Sequence, residues 1–249
     1  MMGLRNLYKV FTETRRASRE RATLAVVGDS LRVEEIADLL GAERTMRRAE
    51  LILTVSEDEF SLSGKAVEDP DELPLPPPGA ATADALASGI VGALEEEYLV
   101  PLAKGYPALR RAACERIIHK NARENALIGL LPIPGADMPV MTANQARMVL
   151  HLAAAYGEDL SWQRARELLG VLAAGFGLRA LTRQVVKVVP AGGWAASAAI
   201  GYAGTVAMGR STMLYFERGG QKVGQEEMEE RRRRATEEAK SFVSRLRRR

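Results

Sequence analysis

Residues 188–209 read VVPAGGWAASAAIGYAGTVAMG and carry no charge. As one α-helix the stretch would extend about 33 Å, enough to cross the hydrocarbon of a bilayer. Pro190 and several glycines interrupt it, no leucine contributes, and alanine adds little to transfer, so it inserts only marginally on its own. Its regular feature is a ridge: Gly193, Ser197, Gly201, Thr205 and Gly209 recur every fourth residue and share one helix face. Small side chains there let a second backbone approach closely, in a membrane or in a tightly packed bundle. The expected partner is a helix over residues 162–186, whose LLGVLAAGFGL centre is apolar. Arg179, Arg183 and Lys187 line one side of it, which places that helix at a polar interface or a cytoplasmic membrane surface rather than across a bilayer. Leucine at position 201 is expected to force the pair apart, and alanine to do much less.

The preceding segment sets a second constraint. NALIGLLPIPGADMPVMTANQARMVLHLAAAYG, residues 125–157, has the composition of a buried helical hairpin with polar residues inside it. Pro132 and Pro134 end the first helix, Gly135 permits a sharp reversal, and Asp137 falls where it can cap the second. Asn144 and Gln145 lie two turns further on among Met138, Val140, Met141 and Met148. Amides in such a setting hydrogen-bond across a helix pair or to a carbonyl freed near the proline break. Packing and capping explain these residues better than catalysis, because no nucleophile and base accompany them.

Ahead of the helical region the chain changes character. Leu4, Leu7, Tyr8 and Phe11 at helical spacing, with arginines and Lys9 between, describe a basic amphipathic helix in residues 1–22 that docks on the body or on lipid. Residues 23–60 give a short apolar run, a turn at Gly28-Asp29-Ser30 with Asp29 or Ser30 as cap, an amphipathic helix and a second strand near residues 50–56. That is a small βαβ-like α/β unit, in which the first turn is the usual place for phosphate. It cannot be a phosphate loop: counted from Gly28, the positions for the second Gly, the Lys and the Ser/Thr hold Val33, Glu34 and Glu35, and the glutamates would repel a phosphate. Residues 61–80 are acidic and proline-rich, an extended linker. Residues 81–221 have the pattern of five or six helices, with breaks expected at Pro101, Tyr106-Pro107, the double-proline turn, Gly157 and Pro190. Residues 222–249 form a charged, exposed helical tail ending in Arg245, Arg247, Arg248 and Arg249. The fold class expected is therefore mainly α, with a small vestigial α/β unit followed by helical hairpins and a charged C-terminal helix.

The formal net charge of +3 hides a strong asymmetry. Residues 1–22, 101–221 and 222–249 are net basic, whereas residues 23–100 carry a large acidic excess. The pattern suits either contact with an anionic lipid surface through the ends and the helical half, with Arg179, Arg183, Lys187 and the terminal arginines as candidate contacts, or intramolecular attraction between the halves. Nucleic acid is not expected, since aromatics are 5% of residues and none is interleaved with the arginines. His119 and His151, with Cys114, lack ligand spacing for a metal, and no nucleophile elbow, carboxylate pair or dinucleotide fingerprint appears. Neither cofactor nor catalysis is expected. A single cysteine and the absence of a leader pattern at the start lead to the expectation of an intracellular protein.

The run through residues 125–157 and then AAGFGLRALTRQVVKVVPAGGWAASAAIGYAGTVAMGRSTMLYFERG resembles a helical domain of unknown function that recurs beside small GTPase domains and in YcjF-like bacterial membrane proteins. The resemblance covers about residues 105–219. It rests on Asn125-Ala126, Pro132-x-Pro134-x-Ala136-Asp137, Asn144-Gln145, Ala155-Tyr156-Gly157, Gly175-Phe176-Gly177, and Gly209-Arg210 with Tyr215-Phe216. It implies a membrane-associated helical module working with or beside a GTPase, and it brings no catalytic residues. The α/β portion departs from GTPase-fused members, for it lacks both the phosphate loop and an Asn-Lys-x-Asp motif. Two functions follow as expectations. One is a membrane-associated scaffold or adaptor at the cytoplasmic face, peripheral or inserted as hairpins. The other is a soluble regulatory module whose small-residue groove takes a partner helix, possible partners being a GTPase or another protein. The oligomeric state is not legible in the sequence.

Overall fold

The computed structural model describes residues 12, 20–70, 72–79, 81–130, 137–158, 193–219 and 225–246. These residues are mainly helical, with a small sheet ahead of the helical region. The chain divides into two units. The described part of one lies within residues 20–116 and 154–158, and that of the other within residues 117–153, 193–219 and 225–246, with residue 12.

In the first unit, strand β1 (Leu24–Gly28), helix α1 (Val33–Leu40) and strand β2 (Leu51–Val55) form the expected strand, helix and parallel strand. The next part differs from the expected linker. Strands β3 (Glu59–Ser63) and β4 (Glu72–Pro74) add to β2 antiparallel, in the order β1-β2-β3-β4. The sheet is mixed rather than doubly wound. Alternation explains β3, because Phe60 and Leu62 face inward opposite Val55 and Leu53 while Glu59 and Ser63 face water. The prolines that follow are held by side chains. Arg32 donates to the Pro76 carbonyl at 2.7 Å, and the buried Thr82 hydroxyl donates to the Pro77 carbonyl at 2.8 Å.

The outer edge of β1 is covered. Val26 donates to the Glu43 carbonyl, Glu43 donates back to Leu24, and the Leu24 amide donates to the Tyr106 hydroxyl at 2.7 Å. Pairing these groups removes a template for strand addition. Behind the sheet, helix α2 (Thr82–Gly92) approaches closely through Gly89, where a β-carbon would lie 3.0 Å from Phe60 and 3.2 Å from Leu73. Arg116 closes the C-terminal end of α2 by donating to the carbonyls of Val91 and Gly92, a cation at the negative end of the helix dipole.

Two expected helix signals resolve differently. Pro101 sits inside helix α3 (Glu96–Gly105) without ending it. The carbonyl it leaves unpaired belongs to the exposed Glu97, where water can serve it. Tyr106-Pro107 does break the chain: Tyr106 is extended at φ −123° and ψ 96°, as a residue before proline prefers, and Pro107 opens helix α4 (Pro107–Leu130). The cap expected at the first turn also differs. Neither Asp29 nor Ser30 is the N-cap residue of α1. Ser30 accepts the Arg32 amide at 3.2 Å through its hydroxyl, and its carbonyl accepts the Val33 amide.

The second unit holds helices α5 (Asp137–Ala155), α6 (Gly193–Glu217) and α7 (Gln225–Leu246). Gly157, at φ +79°, supplies the left-handed turn beyond α5. Residues 193–209 of the uncharged run lie in α6, and among the described residues no helix is long and apolar enough to cross a membrane. The tail expected to be exposed is not so throughout. Helix α7 packs along α6 and buries Ala235, Thr236 and Ala239. Alanine gives such a stripe little hydrophobic signal, so it is easily taken for a solvated face.

Candidate functional site

Helix α4 buries Ile118, Asn121, Ala122, Asn125, Ala126 and Gly129. Their spacing of three and four puts them on one face. This face meets the α6 ridge. A β-carbon on Gly129 would lie 2.9 Å from the Ser197 carbonyl, one on Gly201 would lie 2.8 Å from the Asn125 carbonyl, and one on Gly209 would lie 2.4 Å from Ile118. As α4 advances from 118 to 129 its neighbours on α6 recede from 209 to 197, so the helices run antiparallel. The ridge partner among the described residues is thus α4. The partner expected at 162–186 lies outside the described residues, as do Pro132, Pro134, Gly135, Arg179, Arg183, Lys187, Arg247, Arg248 and Arg249.

At the middle of this contact is a polar junction of three helices. Thr205, fully buried, donates its hydroxyl proton to the Gly201 carbonyl at 2.7 Å. Its oxygen accepts from the Asn125 amide at 2.7 Å and from the Gln145 amide at 3.3 Å. A hydroxyl has one proton and two lone pairs, so Thr205 is saturated. Asn125, also fully buried, accepts at its side-chain oxygen from Asn144 at 3.0 Å. The Asn144 amide reaches the Asn121 carbonyl as well, at 3.2 Å, and Asn121 donates to the Ile117 carbonyl one turn back at 2.7 Å. Among the described residues no acid, base or thiol takes part in this network. What it can do is fix the register of α4, α5 and α6, since buried amides lose several hydrogen bonds together if a helix slides.

A second cluster joins α7 to the same body. The Tyr202 ring stacks on Phe242, with centroids 4.7 Å apart and planes at 13°. Its hydroxyl lies 3.1 Å from His119 Nδ1. Burial, aided by Glu238, raises the Tyr202 pKa above the usual phenol range, while Arg123, Arg245 and Arg210 pull the other way. Arg210 makes an ion pair with Glu238. Among the described residues no group of three or more His, Cys, Asp or Glu could hold a metal ion.

The sequence drew attention to Asn144, Gln145 and the α6 ridge, which the structure brings together, while Asp137 lies in α5 and Gly193 in α6. Arg245 is exposed on α7. Sequence reasoning missed Asn121 as a partner and assigned no contact to Asn125, Tyr202, Arg210, Glu238 or Phe242. The available signal was Asn121 and Asn125 four residues apart, flanked by apolar Ile117, Ile118, Ala122 and Ala126.

The model of one protein family, described as a domain of unknown function (DUF697), matches residues 102–241. The chain belongs to that family. Neither a curated protein nor a solved structure matches it. The DUF697 match takes in the polar junction, the ridge and α7 as far as Ser241, so the charged helix is part of the family domain rather than an appendage.

Proposed function

We propose that this DUF697 protein is a non-catalytic helical scaffold at the cytoplasmic face of a membrane, held peripherally by anionic lipid and working with or beside a GTPase. The observation that carries the non-catalytic part is the saturation of Thr205: the buried polar side chains of the three-helix junction spend their hydrogen bonds on one another. Peripheral attachment is supported by the net basic residues 1–22 and 222–249, which suit an anionic surface. The GTPase and the YcjF-like membrane proteins enter through the sequence resemblance, and the acidic α/β unit is read with them as a degenerate nucleotide-binding fold. The scaffold reading is favoured over a soluble module that receives a foreign helix, because α4 already fills the ridge.

The test is flotation of the full chain with vesicles. Binding is expected with vesicles containing phosphatidylglycerol and not with phosphatidylcholine alone. Replacing Arg245, Arg247, Arg248 and Arg249 by alanine should weaken it, at about 1 kcal/mol for each charge near the surface. Equal binding to neutral vesicles, or no effect of the four substitutions, would refute the electrostatic account. Crosslinking in cells that captures no GTPase would remove that part of the proposal.

A further inference from the structure

Helix α7 has two sides of different character. Phe242, Ala239 and Ala235 lie toward α6, at the three- and four-residue spacing of a helix seam, and in the sequence Met228 and Leu246 continue the same stripe. The helix is charged but balanced, with six Glu against six Lys or Arg over residues 225–246, and Glu230 pairs with Arg233 at 2.8 Å and Arg234 at 2.9 Å. While α7 lies on α6, it therefore offers an anionic surface little uncompensated charge before its last turn and hides its apolar stripe. By its sequence, a helix with an apolar stripe that runs into the basic Arg247-Arg248-Arg249 end is of the kind that lies in a bilayer interface. The stripe can face α6 or lipid, but not both.

We propose that α7 is a releasable strap, exchanging its seat on α6 for the interface of an anionic bilayer. This rests on the membrane reading above and adds to it a competition between two seats. Three features make the exchange feasible. Among the described side chains of the stripe, the buried Ala235 and Ala239 are small and Phe242 is half-buried, so these contribute little buried apolar area. The Glu230 pairs stabilise the helix whether or not it is docked. The seat includes the Tyr202–Phe242 stack and the Arg210–Glu238 ion pair, and lipid can replace the first.

The experiment alters α6 alone. Arg210→Gln and, separately, Tyr202→Leu weaken the seat and leave α7 unchanged. Each full-length variant is titrated with vesicles of phosphatidylcholine and phosphatidylglycerol in equal parts. Arg210→Gln should bind about twofold to fivefold more tightly than the parent, the weight of one partly exposed ion pair, although it has lost a positive charge. Phe242→Ala, which weakens both seats through α7 itself, should bind more weakly than Arg210→Gln. If Arg210→Gln binds equally or less tightly, the strap is wrong while the membrane reading stands. If the parent chain does not bind these vesicles at all, both fail. Should Tyr202→Leu not fold, as judged by circular dichroism, the Arg210→Gln comparison decides.

Discussion

The backbone carbonyl oxygen of Asn125 lies 2.8 Å from the point a β-carbon at Gly201 would occupy. That spacing is shorter than non-bonded carbon and oxygen tolerate, and the oxygen belongs to a helix backbone that cannot turn away. The sequence alone suggested that alanine would be mild at this position. The structure reverses that. Gly201→Ala should destabilise the domain by about 1–3 kcal/mol of overpacking, offset by at most about 1 kcal/mol of helix propensity. Urea denaturation should show the loss, whereas Gly92→Ala, where nothing lies within 4 Å, should be neutral or stabilising. Equal stability for Gly201→Ala and Gly92→Ala would mean that α4 and α6 are not in this contact.

Gly209 offers a contrast, because its obstacle is a side chain. The nearest atoms are Cγ1, Cδ1 and Cγ2 of Ile118, at 2.4, 2.8 and 3.0 Å. Gly209→Ala should be costly alone and substantially rescued in the double variant with Ile118→Ala, since the added methyl enters space the isoleucine vacates. Gly201→Ala should not be rescued by Met141→Ala, although Met141 Cε is nearer, because the Asn125 carbonyl remains. Non-additivity of the first pair and additivity of the second are the expected results of two double-mutant cycles.

Much of this arrangement lies outside local pattern. The β1-α1-β2 order, the break at Tyr106-Pro107 and the turn at Gly157 are written in apolar periodicity and in the backbone limits of proline and glycine. The ridge is written in its spacing of four. Its partner is not, because Asn125 and Thr205 are 80 residues apart and nothing in either helix names the other. Strands β3 and β4 were hidden by their acidic and proline-rich surroundings, where only Phe60 and Leu62 show alternation. The docking of α7 was hidden because it depends on alanines and on a single stacked phenylalanine.

Thr205 is the hub of the junction, so removing its hydroxyl should cost more than its size suggests. Thr205→Val keeps the shape and leaves the amides of Asn125 and Gln145 without an acceptor. A buried donor left unpaired costs about 1–3 kcal/mol. Thr205→Ser, which keeps the hydroxyl and loses a methyl, should cost less than Thr205→Val. The reverse order in equilibrium denaturation would show that packing of the methyl, rather than the network, holds the three helices.

Acid should act on the α/β unit through Glu50. Burial pushes its carboxyl pKa up, but the Thr23 hydroxyl and amide, each 2.7 Å from the carboxylate, together with Lys65, outweigh this and leave it below the usual range. A carboxyl lowered in the folded state contributes stability that is present above its unfolded pKa and is lost as pH falls through its folded pKa. The parent should therefore exceed Glu50→Gln in stability at neutral pH, and the difference should close on acidification below the ordinary carboxylate range. A difference independent of pH would assign Glu50 a role other than this hydrogen-bonded charge.

Gly28 stands where a phosphate loop would begin, and its conformation separates two explanations for a glycine there. At φ +142° it adopts a backbone that L side chains rarely accept, and a β-carbon would lie 2.0 Å from the Val55 carbonyl on the neighbouring strand. This glycine serves the approach of β1 to β2. The first turn of α1 presents Glu34 and Glu35 where a phosphate would need cationic and hydroxyl groups, with Glu35 paired to Arg32 at 3.3 Å and Glu34 to Arg44 at 3.3 Å. Gly28→Ala should accordingly unfold the sheet or lower its melting temperature strongly. The parent chain should give no heat of binding in calorimetry with magnesium GTP or magnesium ATP. A micromolar dissociation constant for either nucleotide would overturn the degenerate reading of this unit and return Gly28 to a phosphate-binding role.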